Sequence, residues 1–236
     1  MCWSETATLS MVGLGAAATV IAVRRGEARA IWVAMGYFTA MEALQAIGYT
    51  VVDQCGDPLN RGVTVLSYLH IAFQPLVVNA FVLALLPEPV SERTRRVVMG
   101  LAGLAAILLL MRLVPLPAAP CPPGDALCGP AFCTVSGSWH IAWEMPLNSP
   151  WRVLFPWLGS WAQFPVYVLA MFVLPLTVGA WRFALFHALF GPVLALALTD
   201  NMNEMPAVWC LFSVGLLILG LSPAVRRQIA PAPRRA

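Results

Sequence analysis

The sequence predicts an all-α fold, a polytopic membrane bundle of seven transmembrane helices with a short interfacial helix before the fifth span. Three observations predict it. Of 236 residues, 60% are hydrophobic and only 11% charged, whereas a soluble domain carries about 25% charged residues. The apolar residues fall in runs long enough to cross a bilayer, separated by short polar breaks. These runs lack the polar stripe at period 3.6 that each helix of a soluble bundle carries. The chain 1–236 reads as one membrane domain.

The spans are predicted over roughly 5–23, 30–52, 63–86, 97–114, 151–179, 181–199 and 206–222. In the first, Gly13, Gly15, Ala16, Ala17 and Ala18 suit close helix packing. No basic stretch precedes this span, so it is expected to be retained rather than cleaved as a signal peptide. The second span places Thr39, Glu42, Gln45 and Tyr49 on one helical face, a polar stripe expected to point into the bundle. In the third, Ser67, His70 and Gln74 share a face and Pro75 is expected to kink the helix. After the fourth span, 115–150 reads as an outer cysteine-containing loop and interfacial helix, the helix covering 138–149. The fifth span contains Pro156, Pro165 and Pro175 and is expected to be kinked. The sixth carries His187 toward the cytoplasmic side, in a packing role. Pro206 opens the seventh, and 223–236 form an Arg/Pro-rich cytoplasmic tail.

All 14 basic residues are arginine, which excludes lysine nucleophiles and Schiff bases. The net charge of +3 reflects topology and does not point to nucleic acid. With the N-terminus outside, Arg24, Arg25, Arg29, Arg93, Arg95, Arg96, Arg182, Arg226, Arg227, Arg234 and Arg235 are cytoplasmic, as the positive-inside rule requires. Most acids, including Asp53, Asp57, Asp125, Glu144, Asp200 and Glu204, then lie outside. Five of the six cysteines (Cys2, Cys55, Cys121, Cys128 and Cys133) also fall on the outer side, which suits structural disulfides in an oxidising compartment. Soft-metal ligation is the alternative, with Cys2 at the amino terminus a candidate copper ligand. Six cysteines allow 15 pairings, and spacing does not choose among them.

Two segments are near copies: Tyr68-Leu69-His70-Ile71-Ala72-Phe73-Gln74-Pro75 and Ser138-Trp139-His140-Ile141-Ala142-Trp143-Glu144-Met145-Pro146. Each sets an imidazole and an oxygen-bearing side chain four residues apart, on one face of a helical turn. A third polar knot, Asp200 to Pro206, repeats the Glu-Met-Pro ending. The expected metal ligands are His70, His140, Glu144, Glu204 and Asp200, a donor set that suits the transition metals Zn, Fe or Mn. Glu42 and Glu204 are the candidate catalytic carboxylates; Glu42 lies within a span, where an ionisable group is expensive and marks function by default. Gln45, Gln74, Asn203 and Trp143 are the candidate substrate-binding residues. The expected activity is a metal-dependent reaction at the outer leaflet on a lipidic or apolar substrate, with membrane lipids as partners.

Each residue has a plainer reading. Glu42 as a neutral hydrogen-bonded packing group, Asp200 and Glu204 as helix caps, and the tryptophans as an interfacial belt all fit the same sequence. Two alternatives come from other classes: haem held by His70 and His140, and an ion- or proton-coupled transporter or sensor.

Met1-Cys2-Trp3-Ser4-Glu5-Thr6, the two His-Ile-Ala-aromatic segments and Asn203-Glu204-Met205-Pro206-Ala207-Val208-Trp209-Cys210 resemble an uncharacterised family of small seven-span bacterial membrane proteins. The resemblance covers the whole chain and implies a bacterial inner (cytoplasmic) membrane; it implies no activity. Seven spans with an outer N-terminus are also similar in architecture to ceramidase-like and adiponectin-receptor-like membrane hydrolases. The late histidine pair of those enzymes is absent here.

Overall fold

The computed structural model describes residues 5–157, 164–210 and 212–229. Cys2, Trp3 and Trp161, which the sequence singled out, lie outside the described residues. Helices dominate. Five of them are long and apolar enough to cross a membrane: Glu5–Arg24, Arg29–Thr50, Pro58–Leu85, Glu92–Leu113 and Trp181–Leu198.

The first four are continuous. α1 (Glu5–Arg24) turns its small residues Gly15, Ala18 and Ala22 inward, while Leu9, Leu14 and Ile21 stay exposed. α2 (Arg29–Thr50) buries Glu42 and Gln45, as the polar stripe predicts. α3 (Pro58–Leu85) starts about one turn earlier than the hydropathy implied. Asp57 accepts from the Leu59 amide at 2.6 Å and Pro58 occupies the first turn, a start signal independent of hydropathy. The helix runs on through Pro75. Asn79 Nδ2 donates there to the Pro75 carbonyl at 2.8 Å and, across the interface, to Ala170 O at 2.9 Å. α4 (Glu92–Leu110) is capped by Ser91 and ends in a 3-10 turn, Met111–Leu113. Leu101, Leu104 and Ile107 lie on its exposed side.

The rest departs from simple spans. α5 (Pro150–Leu154) is a separate short helix, so the fifth predicted span shortens to Pro165–Thr177. That segment comprises α6 (Pro165–Val168), a π-helical turn (Leu169–Val173) and α7 (Leu174–Thr177). The sixth comprises α8 (Trp181–Ala188), a π-helical turn (Leu189–Val193) and α9 (Leu194–Leu198). Prolines explain both π turns: Pro175 and Pro192 supply no N–H to the carbonyls four residues earlier. Gly191 breaks helical geometry there, and Trp209 packs so closely that a Cβ on Gly191 would lie 2.2 Å from its Nε1. The seventh predicted span is α10 (Met205–Trp209) and α11 (Phe212–Leu221), followed by α12 (Pro223–Ile229).

The interfacial helix expected over 138–149 is a β-hairpin, and the fold is therefore not purely helical. β1 (Cys133–Ser136) pairs antiparallel with β2 (Ile141–Glu144), Cys133 opposite Glu144 and Ser136 opposite Ile141. Three constraints select strand over helix. Thr134, Val135, Ile141 and Trp143 favour extended backbone. Pro146 prevents a helix from continuing past Met145. The free edge of β1 is held by groups from the α2–α3 connection and the first turn of α3. Thr134 N donates to Asn60 Oδ1 (2.9 Å), while Asp53 N and Asn60 Nδ2 donate to Thr134 O (3.0 and 2.9 Å). Ser136 N and Oγ donate to the Asp53 carboxylate at 2.7 and 2.6 Å.

The disulfides are Cys55–Cys133, which ties the α2–α3 connection to β1, and Cys121–Cys128 within the long loop; Cys210 is buried and in neither. Arg112, fully buried, donates to Asn148 O (2.8 Å) and Ser149 Oγ (3.1 Å), with its guanidinium 3.9 Å from the Phe164 ring centroid. At the opposite end of the bundle, Arg226 forks onto Glu27 at 2.5 and 2.6 Å, and Arg182 donates to Gln228 O. That Arg226 hydrogen bond holds the Glu27 carboxyl below its ordinary range.

Because Cys55 and Cys133 are 78 residues apart, their cross-link removes a large loop from the unfolded ensemble. Replacing either by serine is expected to destabilise the protein by about 2–4 kcal/mol, read as a lower Tm in detergent. Peptide mapping without reductant checks both pairings.

Candidate functional site

The C-terminal end of α2 carries a buried polar cluster. His140 sits at the entry to β2, 2% exposed. Its Nε2 faces Gln45 Oε1 at 2.5 Å and its Nδ1 faces the Tyr49 hydroxyl at 2.6 Å. A carboxamide oxygen only accepts, so the ring proton lies on Nε2 and Nδ1 accepts from Tyr49. Burial pushes the imidazole pKa down to about 3. His140 is therefore a neutral ring with both nitrogens engaged.

Glu204 fixes the turn that presents it. The carboxylate is fully buried and accepts from the amides of Ser138 (3.2 Å), Trp139 (2.5 Å) and His140, and from Thr199 Oγ1 (2.5 Å). Such a ring of donors compensates a buried negative charge. Gly137 lies against it, where a Cβ would fall 2.6 Å from Glu204 Oε1. Glu204 stands at the N-cap of α10, but its side chain makes no bond to the first turn of that helix. Asn203, beside it, exchanges two hydrogen bonds with the Cys128 backbone at 2.9 Å and accepts through its own carbonyl from Trp143 N at 3.0 Å.

The structure thus brings His140, Gln45 and Glu204 together and leaves the other expected metal ligands elsewhere. His70 stacks on Tyr37 at 3.8 Å between ring centroids, and its backbone carbonyl accepts from the Tyr37 hydroxyl. Tyr37 and Tyr49, the ring partners of the two histidines, lie twelve residues apart on α2, about 18 Å along its axis. One haem iron does not span that separation. Glu144 is half-buried on β2 against Gly129, and Asp200 is exposed. Among the described residues, no three His, Cys, Asp or Glu side chains converge as a metal site. Glu42 is 3% exposed on the α2 face that carries Gln45, and Trp143 is fully buried rather than part of an interfacial belt.

A cavity of about 490 Å³ opens beside this cluster. Its wall joins Phe38 of α2, Ile71 and Gln74 of α3, Tyr167 of α6, His187 of α8, and Trp209 and Cys210 at the end of α10. The Cys210 thiol donates to Pro206 O at 3.4 Å. Tyr167, His187, Trp209 and Cys210 were not among the expected site residues. Trp209 and Cys210 stand in the Asn203–Cys210 stretch that carries the family resemblance, but nothing in the sequence points Tyr167 or His187 toward Gln74 or Trp209.

The buried neutral His140 makes stability depend on pH. The unfolded chain binds a proton there near the ordinary pKa of 6.5, whereas the folded chain resists until about 3. The unfolded state therefore holds more protons in that window, and stability falls as pH drops from about 6.5 toward 3, by at most about 1.4 kcal/mol per pH unit. The Tm in detergent is expected to fall between pH 7 and pH 5, with a shallower slope in His140→Gln.

No curated protein and no solved structure matches the chain. A profile of a family of unknown function, DUF5765, matches residues 6–230. The chain thus belongs to the DUF5765 family.

Proposed function

We propose that this chain is an integral protein of the bacterial inner membrane that binds a lipidic, apolar ligand in the cavity between α3 and α6–α10. Seven crossings, with the N-terminus outside and the C-terminus cytoplasmic, account for the arrangement. The five long apolar helices are joined by Pro165–Thr177 and by α10 with α11. The connections alternate between ends. Asp53, the hairpin and Glu204 bond one another at one end, while Glu27, Arg182 and the α12 residues Arg226 and Gln228 do so at the other. Arginines concentrate at the second end, the cytoplasmic one under the positive-inside rule. Leu14, Leu101, Leu104, Ile107 and Leu185 are exposed, as lipid-facing residues would be.

The observation that carries the binding reading is the cavity, about 490 Å³ and walled mainly by aromatic and aliphatic side chains. That size and lining suit a small amphiphile. The expected metal donors are apart, so the proposal rests on binding, with His140, Glu204 and Asn203 as the framework that seats the outer loop over the cavity.

Native mass spectrometry of the detergent-purified protein tests it. Lipid adducts should survive purification, and Ile71→Trp, which fills the cavity, should reduce them at least tenfold. Absence of adducts, or their persistence in Ile71→Trp, counts against the reading. A C-terminal reporter active only in the cytoplasm is expected to be active, and inactivity would reverse the orientation.

A further inference from the structure

We infer that the cavity selects an uncharged lipid bearing a hydrogen-bond-accepting carbonyl oxygen, and that Gln74 holds that oxygen. The inference rests on the binding reading above and adds the chemistry of the ligand.

Gln74 is 5% exposed on α3 and lines the cavity. Its Oε1 accepts from the Tyr167 hydroxyl. Together the carboxamide and the phenol carry three polar hydrogens, and their mutual hydrogen bond uses one. Both Gln74 N–H groups remain without a protein partner among the described residues. The pair is therefore rich in donors, and an acceptor completes it.

Other polar groups of the wall pair with protein atoms: Trp209 Nε1 donates to His187 Nε2 at 3.3 Å, and the Cys210 thiol donates to Pro206 O at 3.4 Å. No Asp, Glu or Arg is among the described lining residues, so a phosphate or carboxylate would enter without a counter-charge. Phe38, Phe164, Tyr167, Phe172 and Trp209 supply ring faces.

Depth narrows the class further. Gln74 lies sixteen residues into α3, about 24 Å along its axis. A group bonded there sits well inside the bilayer, where the headgroup of an ordinary phospholipid does not reach. Long-chain quinones and diacylglycerols share the required chemistry, an uncharged body with carbonyl oxygens that resides in the apolar layer.

The full-length protein in detergent is titrated with a decyl-substituted benzoquinone, dioctanoylglycerol, dioctanoylphosphatidylglycerol and hexadecane, with bound mass as the readout. The quinone, the diglyceride or both should bind at least tenfold more tightly than the anionic lipid, and which of them binds identifies the source of the carbonyl. Gln74→Leu, and Gln74→Met as a length-matched second variant, should weaken that binding at least tenfold and leave hexadecane within twofold. Equal binding of the anionic lipid, or unchanged binding in both Gln74 variants, overturns the inference. Hexadecane binding without preference for either carbonyl lipid overturns it while sparing the cavity reading. If no probe binds, hexadecane included, both fall.

Discussion

The buried carboxylate of Glu204 is the constraint on which the hairpin end of the molecule depends. A carboxylate removed from water requires compensation by donors. Here they come from three successive amides of the hairpin turn and from Thr199. The chain between β1 and β2 must therefore wrap around the segment that leads into α10. Once it does, His140 is carried inward to Gln45 and Tyr49, and β2 lies beside Asn203, whose carbonyl takes the Trp143 amide. Cys55–Cys133 and Asn60 fix the other edge of the same hairpin to α2 and α3. Two independent anchors, one early and one late in the chain, thus hold one small sheet over the bundle. Losing either would leave buried polar groups facing no partner.

Much of the architecture is legible in residue patterns because one physical demand dominates it. Apolar runs in α1 to α4 leave little choice but long helices, and the inward face of α2 is set by Glu42 and Gln45. The oxidised cysteines are likewise legible, since they cluster in segments grouped by charge. The hairpin was not. Its segment shares His-Ile-Ala with α3, and the shared letters imply a shared helix. Local sequence is nearly equal in the two copies, so the difference comes from elsewhere. In α3, His70 is followed by Phe73 and Gln74 in an uninterrupted helix started by Asp57 and Pro58. In the second copy the amides of 138–140 find Glu204, some sixty-five residues later. No local pattern reveals a partner at that distance.

The same reasoning explains why the candidate ligands separated. Reading them as one site assumed that polar residues in an apolar chain seek one another. The structure satisfies them in smaller groups: His140 with Gln45 and Tyr49, Glu204 with backbone amides, His70 against the Tyr37 ring, Gln74 with Tyr167. A buried polar atom needs a hydrogen-bond partner, and backbone amides, phenols and carboxamides serve without any metal. Counting histidines and carboxylates therefore located the polar interior but not its chemistry. Gln45, at first a secondary residue, is central because its carboxamide oxygen receives the His140 ring.

The cavity has its own cause, in backbone rather than side-chain chemistry. Pro175 and Pro192 each deprive a helix of one N–H; Pro175 follows one π-helical turn and Pro192 lies within the other. At the second break, Gly191 departs from helical geometry and Trp209 fills the space against it. Helices interrupted in this way cannot lie flush against α3, whose regular surface presents Ile71 and Gln74 to the gap. The space is thus a consequence of where prolines fall, and its polarity of which side chains line it: His187 and Trp209 engage each other, and Gln74 is bonded to Tyr167.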